Sequence, residues 1–206
     1  MDGLLVDTEP LWFETEADVM ARLGAPWTKE DQEQLLGGSM DNTVGYLLAK
    51  ATRPASPAEV ARWMTDGMLK RAAEGRVIVR PGARELLEAV AAAGIPYALV
   101  TGSQRPFTEA VLTSTGFRFP VTVTGDDVTR AKPDPEPYLL AAKLLNADPG
   151  DCVALEDSPN GVASATAAGC HVIAVPSLLP IPQAARRLVV PSLSDLSLAT
   201  LRAIAA

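Results

Sequence analysis

Histidine is almost missing from this chain. Of 206 residues only His171 is one, and it stands beside an apolar run, where a structural role is expected. Cysteine is scarce too. Cys152 and Cys170 lie in or beside apolar segments, which excludes a disulfide framework and fits buried thiols in a reducing compartment, the cytoplasm. Positive charge is in the minority, with 18 Lys and Arg against 25 Asp and Glu and a net charge of −7. That balance excludes a general affinity for nucleic acid or acidic lipid, so an anionic substrate needs local compensation from a metal or a lysine. No apolar run approaches the length of about 20 residues that spans a bilayer. The first ten residues carry acids where a signal peptide carries a basic start. Internal repeats and low-complexity segments are absent as well. What remains is a length that fits one domain, or one domain with a small insert. The 48% hydrophobic content is enough for a real core.

The chain then divides by pattern. Asp7-Thr8-Glu9-Pro10 opens a helix, with Trp12, Phe13, Val19, Met20 and Leu23 at helical spacing up to Gly24. Thr28 to Leu36 reads as a second helix ended by Gly37-Gly38, and Ser39 caps a third carrying Val44, Leu47 and Leu48. Ser56-Pro57-Ala58-Glu59 is a capping box, so a fourth helix runs towards Ala73. After Arg80-Pro81-Gly82 helices alternate with short apolar runs at Tyr97 to Val100, Val121 to Thr124, Cys152 to Leu155, His171 to Val175 and Leu188 to Val190. Asp134 is the expected cap of a helix from Pro135, and Ser194 that of the terminal one. Alternating strands and helices predict an α/β fold, a Rossmann-like parallel sheet covered on both faces, with an inserted helical unit. The expected division is residues 1–8 and 78–206 for the sheet and 9–77 for the helices. In such sheets ligands bind beyond the carboxyl ends of the strands, where Thr101, Asp126-Asp127 and Glu156-Asp157 fall.

Four short stretches carry chemistry. Glu156 and Asp157 are adjacent acids directly after a strand, and they repel each other unless a cation sits between them. Oxygen ligands of that kind suit Mg²⁺; the plainer account is a solvated strand end in which Asp157 or Ser158 caps the next helix. Lys132, ahead of Pro133-Asp134-Pro135, is able to neutralise a nucleophile and a phosphoryl oxygen together, or is a solvated lysine in a proline-rich loop. Thr101, with the N–H groups of Gly102 and Ser103 that follow it, has the donors to hold a phosphate oxygen, and Ser103 also serves as a cap. Asp2 opens the chain beside Gly3 and an apolar run.

Together these stretches resemble the haloacid dehalogenase-like phosphohydrolases, in the branch of β-phosphoglucomutase and the sugar-phosphate phosphatases. Glu156-Asp157-Ser158-Pro159-Asn160-Gly161 matches that family's magnesium motif, and Lys132-Pro133-Asp134-Pro135 its lysine motif. Met1-Asp2-Gly3-Leu4-Leu5-Val6-Asp7-Thr8 matches the first motif, Asp-x-Asp-Gly-x-x-x-Asp-[Ser/Thr], from its second position onward. The resemblance implies Mg²⁺ held by Asp2, Glu156 and Asp157, and Asp2 as general acid and base. It implies a small phosphorylated metabolite held by Thr101 and Lys132, with Thr8, Gly38, Ser39, Gly102 and Ser103 lining the site. It also implies a helical cap over residues 9–77 that reads the substrate. Trp12 stands where the phosphomutases carry a histidine, and Met40 where they carry an arginine. A second phosphate on the substrate then has little to bind, which favours a phosphatase of sugar or polyol phosphates over a mutase. Trp12 itself fits helix core and sugar platform equally. A monomer is expected, with neither nucleic acid nor membrane as partner.

The family's nucleophile, two positions before Asp2, has no counterpart among these residues, and neither does the strand that carries it. Removing a central strand orphans backbone groups at about 1–3 kcal/mol each, against a net stability of about 5–15 kcal/mol. The expectation is therefore a gene product that starts upstream of Met1. The alternatives are a truncated chain that does not turn over and a catalytically silent binding protein of the same fold.

Overall fold

The structure, a computed structural model, describes residues 1–35 and 40–205, and every statement below concerns those residues. The chain forms two compact units, Thr8–Val77 on one side and Met1–Asp7 with Ile78–Ala206 on the other.

The first unit is helical. Helix α1 (Glu9–Leu23) begins at Thr8 with Pro10 in its first turn and ends at Gly24, whose φ of 79° closes the helix in the left-handed region. Helix α2 (Lys29–Glu33) is shorter than the expected Thr28 to Leu36, but Thr28 and Asp31 form its capping box as the side chains dictate. Gly37, Gly38 and Ser39 lie outside the described residues. Helix α3 (Met40–Lys50) follows, and then α4 (Pro57–Ala73), capped by Ser56 and Glu59. Val19, Met20, Leu23, Val44, Leu47, Val60 and Met64 form this unit's core, with Trp12 and Trp27 packed against it. Arg71 ties α4 to α1 by reaching Glu14 and Asp18.

In the second unit a short antiparallel ladder joins β1 (Val6–Asp7) to β2 (Ile78–Val79), with Val6 opposite Val79. Two residues a side are too few to produce an alternating pattern, so this ladder left no trace in the sequence. Helix α5 (Ala83–Ala92) leads to β3 (Ala98–Val100), and α6 (Arg105–Thr115) leads to β4 (Val121–Val123), parallel to β3. Helix α7 (Glu136–Leu145) precedes β5 (Val153–Glu156), and α8 (Pro159–Ala167) precedes β6 (His171–Ala174). Strand β7 (Arg187–Val189) completes a parallel set in the order β5, β6, β7. The last helix, α9 (Leu198–Ala205), is not opened by Ser194 as expected. A 3-10 turn at Leu193–Asp195 intervenes, and Ser197 Oγ takes the Thr200 N–H instead. Asp134 sits one residue ahead of the N-cap Pro135 and accepts the Glu136 N–H at 2.9 Å.

Among the described residues β3 pairs only with β4, and β5 only with β6. A cavity of about 400 Å³ touches both, lined among others by Leu5, Leu86, Leu99, Val100, Ala141 and Leu155. The sheet is thus two parallel pieces with an apolar hollow against their unpaired edges.

Candidate active site

The site forms where β3 and β5 end and the loops after them turn. Gly3 has φ +75°, and a Cβ added there would meet Asp157 Oδ2. Glycine is needed at this turn because the Asp2 segment and the Asp157 carboxylate approach too closely for any side chain. Asp2 Oδ2 accepts a hydrogen bond from Ser103 Oγ at 2.7 Å. Ser103 in turn donates its backbone N–H to Thr101 Oγ1 at 3.1 Å. Thr101 is buried at the end of β3, its own N–H donated to Val123 O of β4.

Lys132 reaches the same place from the loop ahead of α7. Its Nζ donates to Val100 O at 3.1 Å and to Glu156 Oε1 at 2.5 Å. Glu156 also takes the Tyr138 hydroxyl on Oε1, and Asp157 N–H on Oε2 at 3.3 Å. Gly161 backs the same carboxylate so closely that a Cβ would overlap it. Burial alone raises the pKa of Glu156, but the Lys132 ammonium and the nearby amino terminus outweigh it, so the carboxyl is held below its ordinary value. Asp157 goes the other way. Burial raises its pKa, only partly offset by the amino terminus and by Ser177 Oγ, which donates to Oδ2 at 2.6 Å. Ser158 does cap α8, taking the Gly161 N–H.

Asp2, Thr101, Ser103, Lys132, Glu156 and Asp157, spread over the second unit's sequence, are therefore linked by successive contacts around one spot. Gly102 lies exposed between Thr101 and Ser103. Thr8 and Trp12 belong to the helical unit: Thr8 is buried at the start of α1 and Trp12 packs on that unit's core. Gly38 and Ser39 lie outside the described residues. The acids Asp126 and Asp127, also past a strand end, are structural. Asp127 caps Thr124 and pairs with Arg105, which lowers its pKa to about 2, and Asp126 accepts the Arg105 N–H. Two residues of the cluster escaped the sequence reading. Tyr138 falls among the apolar positions of α7 and looks like core, while Ser177 lies in a loop with no pattern.

Among the described residues no group of three or more His, Cys, Asp or Glu side chains stands ready to hold a metal ion. The donors gathered here are oxygens, the class that suits Mg²⁺, a cation that binds few carboxylates and keeps positions for water and phosphate.

A Rossmann-like core whose strand ends gather acids, a hydroxyl and a lysine defines a class of hydrolase. Residues 1–175 match the family described as haloacid dehalogenase-like hydrolase, and the chain belongs to it. It is 37% identical over 177 residues to hexitol phosphatase A of Escherichia coli, covering 85% of this chain and 80% of that protein. It is also 37% identical over 175 residues to a phosphorylated carbohydrates phosphatase of Thermotoga maritima, covering 84% and 81%. Among solved structures, CbbY of Rhodobacter sphaeroides in complex with phosphate superposes with a TM-score of 0.84 at 31% identity, over 98% of this chain and 96% of that one.

Proposed function

We propose that this protein hydrolyses a small phosphate monoester, a sugar or polyol phosphate, with the help of Mg²⁺. The observation that carries the reading is the gathering of these groups: Asp157 lies against Gly3, Asp2 is bonded to Ser103 and Ser103 to Thr101, and Lys132 joins Glu156 to Val100 O, the residue before Thr101. The likeness to hexitol phosphatase A supports the substrate class. In this reading Thr101, the N–H groups after it and Lys132 hold the phosphoryl oxygens. Asp2, steadied by Ser103, gives a proton to the leaving oxygen and later takes one from water. The Asp157 carboxylate and the Asp2 backbone carbonyl would hold a Mg²⁺, which would offset charge on the phosphoryl group. In-line positioning and charge neutralisation then lower most of the barrier.

The attacking group is an aspartate two positions ahead of Asp2, carried on an apolar strand seated in the hollow beside β3 and β5. The unpaired edges of both strands and the apolar lining support that seat. Mg²⁺-dependent release of phosphate from an aryl phosphate ester tests the whole reading. A chain extended upstream through that aspartate is expected to release phosphate, and residues 1–206 alone are expected not to. An extended chain that is inert with Mg²⁺ overturns the phosphatase reading, and an isomerised sugar phosphate as product replaces it with a mutase.

A further inference from the structure

Tyr138 has no part in the chemistry described above, yet its position is unusual for a core residue. It lies in the first turn of α7, 8% exposed, with its hydroxyl donated to Glu156 Oε1 and its ring centroid 5.0 Å from Lys132 Nζ. Burial, followed by the Glu156 charge, drives its pKa well above the ordinary tyrosine value, so the hydroxyl stays protonated and donates. Two donors therefore converge on one carboxylate oxygen. Oε1 takes the Lys132 ammonium and the Tyr138 hydroxyl, while Oε2 takes the Asp157 N–H and is closed in by Gly161. Glu156 is satisfied by protein donors and is fixed from every side. An ammonium has three N–H donors; for Lys132 one goes to Val100 O and one to Glu156, which leaves one to offer.

We propose that Tyr138 is a positioning residue for Lys132, acting through Glu156. The hydroxyl fixes the rotamer of Glu156, and the aromatic face and carboxylate together hold the ammonium so that its remaining N–H points to the phosphoryl site. The two adjacent acids then divide their work: Glu156 serves the lysine, and Asp157 faces the cation. Cation–π contact and a charge-assisted hydrogen bond are each sensitive to small displacements, so their combination fixes an otherwise flexible four-carbon stem. The inference rests on the phosphatase reading for what Lys132 does, though not for how Lys132 is held.

Nitrogen-15 NMR of the lysine ammonium groups in residues 1–206 tests it without any turnover. The parent is expected to show one ordered Nζ resonance, assigned by its loss in Lys132→Met. Tyr138→Phe keeps the ring and its packing, and is expected to erase or shift that resonance while the protein still unfolds cooperatively, at a somewhat lower melting temperature. Glu156→Gln is expected to do the same, and the double variant to look like Glu156→Gln alone. Fluorotyrosine, a stronger hydroxyl donor at the same position, is expected to move the resonance oppositely and serves if the Phe variant does not fold. A Lys132 resonance indifferent to both tyrosine changes overturns the proposal, as do additive effects in the double variant. Binding of inorganic phosphate with Mg²⁺ is a separate arm. Tyr138→Phe is expected to weaken it on the order of tenfold. A parent that ignores phosphate, alongside a responsive Lys132 resonance, counts against the phosphatase reading and leaves the positioning role standing.

Discussion

Single residues set much of the pH response and carry the proposed chemistry. Asp2 is held by Ser103 Oγ at 2.7 Å, so its carboxyl is aimed before any substrate arrives. With Asp2 in its proposed role as general acid and base, Asp2→Asn in a form of the enzyme that releases phosphate should reduce kcat by about 10²–10⁴-fold. The fold should persist, because asparagine still accepts the Ser103 hydrogen bond; circular dichroism and an aryl phosphate assay check the two halves of that statement. Glu16, in α1, is 3% exposed, and its Oε2 and the Trp27 Nε1 each lack a hydrogen-bond partner. Burial, then repulsion from Glu9, raises its pKa to about 7, while the indole N–H, close by but outside hydrogen-bond geometry, opposes the shift only weakly. The folded pKa exceeds the unfolded one of 4.5, so the folded state binds the proton more tightly. Stability from this group is complete below about pH 4.5 and fades as pH rises to about 7, by about 3 kcal/mol in all. Glu16→Gln should remove that part of the pH dependence, measured by urea unfolding at a series of pH values.

At the scale of elements, local chemistry sets where helices begin. Ser56 and Glu59 each satisfy a backbone N–H of the other at the start of α4, and Ser56→Ala should cost about 1 kcal/mol, read from chemical denaturation. That cap was legible because a capping box is a local pattern, and so were the strand ends at Thr101 and Glu156, where an apolar run meets a polar residue. Longer-range outcomes were not. The β1 and β2 ladder is set by two distant dipeptides, and α9 starts at Ser197 rather than Ser194 because the intervening 3-10 turn already uses Ser192 as its cap. Within the site, Asp2, Lys132 and the Glu156-Asp157 pair were readable from motif and spacing. Tyr138 was not, since a tyrosine in a helix signals core until its hydroxyl has a partner, and that partner is 18 residues away.

At the scale of the molecule, charge organises the active region. The net charge of −7 disfavours an anionic substrate, so binding one needs local compensation, for which Lys132 stands at the strand ends. Chelation by EDTA should therefore abolish turnover of the phosphate-releasing form, and added Mg²⁺ should restore it. No helix among the described residues is long and apolar enough to cross a membrane. The hollow beside β3 and β5 has a further consequence. Unpaired strand edges bordered by apolar side chains adhere to whatever extended peptide they meet.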